Sequence, residues 1–240
     1  MKKTSILLLF LTLLLSGCLY PEERLSENSI PYEDQLQSVQ RAVDRFKEDN
    51  GGIIPIKDRD METPIYQKYP IDFGKITPQY IPEPPSTAFE SGGIYQYVLV
   101  DVEENPTVKL IDLRLADKIR DLKSRILVYK RSNGFAPFDK ELSRNVYSLD
   151  YEKLGYETPP TVESPYSGTS LPFIIDHNGE VYIDYSIDLN SFMKKTDHTF
   201  TTGEDIRELL VQESVFVPAF SVPYTVQNNE PIFNHTPASN

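Results

Sequence analysis

The spacing of apolar residues changes several times along the chain, and each change predicts a different element. Residues 6–15 are an almost unbroken apolar run behind Lys2 and Lys3. That run is shorter than the ~20 apolar residues a membrane-spanning helix needs, and it reads as an export signal over residues 1–17. Residues 18–31 mix Pro21, Glu22, Glu23, Ser26, Asn28 and Ser29 and read as a tether. From 32 to 49, Leu36, Val39, Val43 and Phe46 recur at the spacing of an amphipathic helix, which Asn50-Gly51-Gly52 should end. A proline-punctuated stretch follows. In it Tyr69-Pro70-Ile71-Asp72-Phe73 predicts a turn or short helix, and residues 80–85 predict an extended segment. Gly92-Gly93 opens a strand over 94–101, Glu103-Glu104-Asn105-Pro106 turns the chain, and 107–113 should return as its hairpin partner.

The same succession then recurs. Leu36, Val39, Val43, Phe46, Asn50 and Gly51 reappear 83 positions on as Ile119, Leu122, Ile126, Tyr129, Asn133 and Gly134. Tyr69, Ile71, Asp72 and Lys75 reappear 78 on as Tyr147, Leu149, Asp150 and Lys153. Pro84-Pro85 and residues 98–101 reappear 75 on as Pro159-Pro160 and 173–176. Generic amphipathicity would not keep Asn-Gly, Asp, Lys and Pro-Pro in order, so the pattern predicts an internal duplication. Asp176-His177-Asn178-Gly179 is a tight turn, with residues 181–189 expected as the return strand. Asp184 and Asp188, alternating there with apolar residues, are expected to face water. The fold class is α+β: two tandem helix-plus-antiparallel-sheet units at 32–113 and 114–189, then a C-terminal part at 190–240. In that last part Thr202-Gly203-Glu204-Asp205 resembles a capping box before a short helix. Residues 215–226, broken by Pro218 and Pro223, read as an edge strand, and 234–240 as a frayed tail.

Composition sharpens this picture. With 39% apolar and 25% charged residues the chain is of ordinary globular type. A net charge of −12 argues against a nucleic-acid partner, which demands clustered Lys and Arg. Cys18 is the one cysteine, so no intramolecular disulfide, Cys-ligated zinc site or CxxC pair can form. It closes Leu15-Ser16-Gly17-Cys18, which resembles the lipobox of bacterial lipoproteins. That resemblance implies a diacylglyceryl group on the Cys18 thiol, cleavage before it, and attachment to the outer, extracytoplasmic face of the cell membrane. Two acyl chains anchor stably where one holds only marginally. The lipid would carry the attachment alone. Loss of Lys2 and Lys3 takes the net charge to −14, and an acidic body is repelled by anionic lipid.

Two wider resemblances follow from particular residues. The stripe from Leu36 to Phe46, Asn50-Gly51 with Pro55, Tyr80-Ile81-Pro82, Pro85, and Gly92-Gly93 before Tyr95 and Tyr97 resemble the globular part of type II secretion pseudopilins and pilins. That likeness implies a helix packed on a small antiparallel sheet, without the long apolar helix that builds filaments. The Cys18-Leu19-Tyr20-Pro21 start and residues 31–36 resemble the YphF-type lipoproteins of Bacillus-like bacteria, which implies an outer-face anchor.

Candidate chemistry is sparse. His177, His198 and His235 are scattered, and no HExxH, P-loop, Rossmann or GxSxG motif is present. Ser191 and Lys194 match Ser-x-x-Lys by chance, since the Lys-Thr-Gly partner is missing. No cofactor motif is present. The acidic hairpin turns offer Asp101 and Glu103 in the first and Asp176, Asn178 and Glu180 in the second, either as calcium ligands or as plain solvated turns. Pseudopilins sometimes hold calcium in a comparable loop. Tyr95, Tyr97, Tyr182 and Tyr185 could form a protein-contact face, although strand tyrosines more often cover a sheet. The functional expectation is a non-enzymatic protein-contact or envelope-scaffolding module with envelope proteins as partners. The alternative is an envelope enzyme or ligand-binding lipoprotein with its site between the units.

Overall fold

The structure is a computed structural model, which describes residues 33–196 and 200–234. Cys18, the apolar run, the tether and the residues of the tail beyond 234 lie outside the described residues. Helix α1 (Glu33–Asp49) forms where the apolar stripe predicts it, and buries Val39, Ala42 and Val43. Strands β1 (Tyr95–Val100) and β2 (Thr107–Asp112) pair antiparallel, with Tyr95 opposite Asp112 and Val100 opposite Thr107. The proline-rich stretch lies against the outer edge of β1. There Ile71 N–H donates to the Tyr97 carbonyl and Leu99 N–H to that of Tyr69. A one-turn helix follows, α2 (Phe73–Ile76), capped by the Asp72 carboxylate, which accepts from Gly74 N–H.

Helix α3 (Leu113–Asn133) starts without a linker after β2. Asp112, almost fully buried, makes this possible: it accepts from Arg114 N–H at 2.9 Å, and the Arg114 guanidinium forks across both its oxygens. The helix buries Leu115, Ile119, Leu122 and Ile126 and ends at Gly134, whose φ of +82° a side chain would oppose. A second sheet follows, made of β3 (Phe138–Ser143), β4 (Val146–Leu149), β5 (Thr161–Glu163), β6 (Ser170–Asp176) and β7 (Val181–Ile183). It is antiparallel throughout, in the order β3-β4-β6-β5 with β7 also on β6. Local geometry recurs between the halves. Asn50 and Asn133 each bond their Nδ2 to the carbonyl four residues back. Asp72 N–H donates to Pro55 O and Asp150 N–H to Pro137 O, both at 2.8 Å, and each aspartate pairs with the lysine three residues on.

Three expectations are corrected. The return strand expected over 181–189 stops at Ile183, and Ser186–Met193 is a helix, α4, with Leu189 and Met193 on its buried side. Asp188 therefore points inward. Its side chain is fully buried and accepts from Ser164 Oγ at 2.7 Å and Ser167 Oγ at 2.6 Å. Second, the capping box does not form as expected: Asp205 Oδ1 accepts from Arg207 N–H at the start of the final turn, but Thr202 and Gly203 bond elsewhere. Thr202 donates to Val226 O, Gly203 N–H to Thr225 Oγ1, and helix α5 (Glu208–Gln212) begins only after them. Third, the edge strand expected over 215–226 divides around its prolines. Residues 215–217 bond to Leu110 on the free edge of β2, while β8 (Tyr224–Gln227) and β9 (Glu230–Phe233) form a hairpin through Asn228-Asn229, both at positive φ.

Burial is organised in three clusters. One joins α1 to β1 and β2, and a second joins α3, α4 and the five-stranded sheet to Ile206, Leu210 and Tyr224. The third lies between them: Tyr66, Val98 and Ile111 pack against Val211, Val217 and Ala219. The C-terminal part thus completes the second cluster and bridges to the first hairpin.

Candidate functional site

The β1–β2 hairpin turns through Asp101, which takes a left-handed φ of +49°, a conformation Asp tolerates better than most side chains. The turn thereby sets Asp101, Glu103 and Glu104, all exposed, along the rim of a cleft of about 260 Å³. Its other walls come from distant parts of the chain. Tyr66 sits on a 3-10 turn (Ile65–Gln67), Tyr69 enters from the segment beside β1, and Glu208 opens α5. Four carboxylates line this cleft, and no Lys or Arg does.

Tyr66 is held firmly. It is 8% exposed, belongs to the bridging cluster, and carries the Arg207 guanidinium 5.1 Å from its ring centroid. Arg207 is fixed in turn by a fork onto Asp205 and by Ser221. Burial raises the Tyr66 hydroxyl above its ordinary pKa, so it stays a neutral donor. That hydroxyl makes no hydrogen bond among the described residues. Glu208 reaches solvent, yet the desolvating cleft wall raises its carboxyl, with Lys109 opposing the rise. Lys109 commits its ammonium to the carbonyls of Val211 (2.7 Å) and Ser214 (2.6 Å), at the end of α5.

The second acidic turn is built differently. Asp176, 2% exposed, accepts from both Asn178 and Glu180 N–H through Oδ1. Lysines of α3 neutralise the rest: Lys123 Nζ reaches Glu180 Oε2, and Lys130 Nζ donates to Asn178 O at 2.9 Å. Calcium would meet two ammonium groups here. Among the described residues no three His, Asp or Glu side chains come together closely enough to hold a metal ion, Asp101 and Glu103 included. The calcium expectation for Asp101, Glu103, Asp176, Asn178 and Glu180 is left without a clustered set of acidic ligands among the described residues.

The tyrosine expectation is also corrected. Tyr95, Tyr97 and Tyr185 are at most 2% exposed and belong to the cores. Tyr97 donates to Thr87, whose own hydroxyl donates to Gln35. Tyr185 donates to Ala219 O and its N–H donates to Tyr224 Oη. Tyr182 is half-buried against the second cluster. The aromatic residues that do line a cleft, Tyr66 and Tyr69, were missed, as was Glu208. No sequence signal joins residue 66 to residue 208, because only the bridging cluster brings them together. Buried Asp188 with Ser164 and Ser167 has no described histidine beside it to activate a serine, and it reads as a core brace.

Residues 32–112 match the model of the YphF family N-terminal domain. The match covers α1 and the first hairpin and ends where α3 begins, and it supports the YphF family for this part of the chain. No curated protein and no solved structure matches the chain. The pseudopilin likeness therefore rests on the motifs in the sequence. Among the described residues no helix is long and apolar enough to cross a membrane.

Proposed function

We propose that the chain is an extracytoplasmic lipoprotein, tethered through a diacylglyceryl group on Cys18, whose body is a non-enzymatic protein-contact module. Lys2, Lys3, the apolar run and Leu15-Ser16-Gly17-Cys18 support the tether. The two similar helix-and-sheet units, with their paired Asn-Gly and Asp-Lys devices, are taken as a tandem duplication whose second copy is braced by the C-terminal part. The observation that carries the contact role is the contrast between the acidic turns. One is neutralised from within by Lys123 and Lys130, while the other opens a carboxylate-lined cleft to solvent.

A second reading, an envelope enzyme, draws on Glu208, whose raised carboxyl could act as a general acid. The cleft offers it no nucleophile or metal partner among the described residues, so contact is the better reading. Labelling with a palmitate analogue tests the tether: the wild-type chain takes the label, and Cys18→Ser does not and leaves the membrane. Labelled Cys18→Ser would refute it. In-cell cross-linking with mass spectrometry tests the contact role. A reproducible envelope partner is expected, and its absence across repeats would count against a contact module.

A further inference from the structure

We infer that the groove between α3 and the 3-10 turn after β4 (Glu152–Leu154) receives a tyrosine side chain from an extended segment of a partner protein. This inference rests on reading the body as a contact module and its two units as copies of one another. The groove holds about 540 Å³, and Arg125, Val128, Tyr129, Asn133 and Leu154 are among the residues that line it. That volume lies within the ~300–1,000 Å³ usual for ligand pockets, so an aromatic side chain with part of its neighbours fits.

The first unit shows what such a groove takes. Beside α1 the matching place is filled from within by Tyr80, whose ring stands edge-on to Phe46 at 5.5 Å and whose hydroxyl accepts from Asn50 Nδ2 at 3.4 Å. At the offset of 83, Phe46 and Asn50 become Tyr129 and Asn133, and both line the groove. Asn133 is posed as Asn50 is, with its Nδ2 on the carbonyl four residues back. Tyr80 has no counterpart. Residues 77–80 separate Ile76 from Ile81, whereas Gly155 alone separates Leu154 from Tyr156, and this step takes the offset from 78 to 75. Tyr156 does not stand in for Tyr80. Its hydroxyl donates to Asp121 at 3.0 Å and its ring lies under the Arg125 guanidinium, one to two turns nearer the start of α3 than Tyr129. The rim of the groove is also more apolar than its counterpart. Exposed Val128 stands where the first unit has Arg45, and exposed Phe135, edge-on to Tyr129, where the first has Gly52. The first unit thus covers with its own loop what the second offers to another chain. The loop of a second copy is a poor occupant, because Tyr80 is already engaged and Ile81 is buried in the first core.

Calorimetry and amide NMR on the full-length protein in detergent provide the test, with three capped peptides as probes. One repeats Thr77-Pro78-Gln79-Tyr80-Ile81-Pro82-Glu83 of this chain, and the others carry Phe or Ala in place of its tyrosine. At concentrations up to about 5 mM the tyrosine peptide should bind and shift the amides of Val128, Tyr129, Asn133 and Leu154. The Phe peptide should bind about threefold more weakly, the size of one hydrogen bond lost, and the Ala peptide should not bind. Val128→Asp, changed only at an exposed position, should weaken the tyrosine peptide by about tenfold. Arg45→Asp, at the matching exposed position of α1, should leave it unchanged. No binding by the tyrosine peptide, equal binding by the Phe or Ala peptide, or full affinity in Val128→Asp would overturn the inference. Binding that appears only once Tyr20 is changed to Ala would assign the groove to the chain's own N-terminal segment and overturn the partner. Retention of the cross-linked partner by a Val128→Asp chain that has lost the peptide overturns the tyrosine assignment and leaves the contact role standing. A wild-type chain that binds the peptide yet cross-links to nothing counts against the contact role alone.

Discussion

The two hairpin turns are made of similar residues and end in opposite electrostatic states. At Asp176-His177-Asn178-Gly179 the carboxylate that folds the turn is buried, and helix α3 closes over the remaining oxygens with two lysines. At Asp101-Val102-Glu103-Glu104 the carboxylates are exposed, and the Gln40 amide of the helix opposite bonds the hairpin backbone at Pro106 and Val108 and its own helix at Asp44. An acidic turn can therefore be a self-contained structural device or stay open to solvent. The difference lies in the groups packed around the turn.

The cores differ in the same spirit, and the largest expected effects come from there. The first unit depends on close backbone approach: a Cβ on Gly93 would sit 2.2 Å from the Thr87 carbonyl, so Gly93→Ala should cost roughly 3 kcal/mol or more in denaturant unfolding. Its Gln35–Thr87–Tyr97 chain is neutral, and Thr87→Val should cost about 1 kcal/mol by breaking it. The carboxylate the first unit buries, Asp112, is paired with Arg114, whereas the second unit holds buried Asp188 on serine hydroxyls. Asp188→Ala takes the acceptor from the buried Ser164 hydroxyl, while exposed Ser167 keeps Thr169, and should cost about 2 kcal/mol. A smaller cost for Asp188→Ala than for Thr87→Val would break the contrast between the cores.

Acidity separates the units as well. Burial raises the Asp188 carboxyl above 3.8, with Ser167 and Ser164 pulling it back and Asp184 adding to the rise. A carboxyl raised on folding binds more protons in the native state, so its favourable contribution is complete below 3.8 and is lost as pH climbs through the native value. Asp188 should therefore lower stability over that interval, read as the difference between the wild-type chain and Asp188→Asn. In Asp188→Asn this part of the pH dependence should vanish. A wild-type curve that rises monotonically there, unchanged by Asp188→Asn, would contradict the assignment.

The turns themselves supply the smallest effects. Asp176→Ala removes the acceptor of two backbone N–H groups and should cost about 1–2 kcal/mol. Asp101→Gly relieves a left-handed side chain while freeing the unfolded chain, and should stay within about 0.5 kcal/mol of neutral. Equal costs at the two positions would erase the distinction between a structural turn and an open one.

Much of the scaffold was legible from periodicity. The Leu36–Val39–Val43 and Ile119–Leu122–Ile126 stripes mark the buried faces of α1 and α3, and Asn-Gly marks where both stop. The segment after Ile183 misled because Asp184, Ser186 and Asp188 alternate with apolar residues as a strand would. Leu189, Phe192 and Met193 carry the helical spacing that prevails, and it turns Asp188 inward. The cleft could not be read in this way. Charge at Asp101, Glu103 and Glu104 was visible, but its meaning depends on Tyr66 and Glu208, brought there by contacts between Val98, Ile111 and Val211. Local patterning does not encode such contacts.

The most direct test is to follow the Glu208 side-chain carboxyl by carbon-detected NMR across pH, in the wild-type chain and in Lys109→Met. In the wild-type chain it should titrate above its ordinary value, because burial raises it, with Asp101 and Asp205 adding to the rise and Lys109 opposing it. In Lys109→Met it should titrate higher still, because the opposing cation is gone. An ordinary value that the substitution leaves untouched would contradict the account.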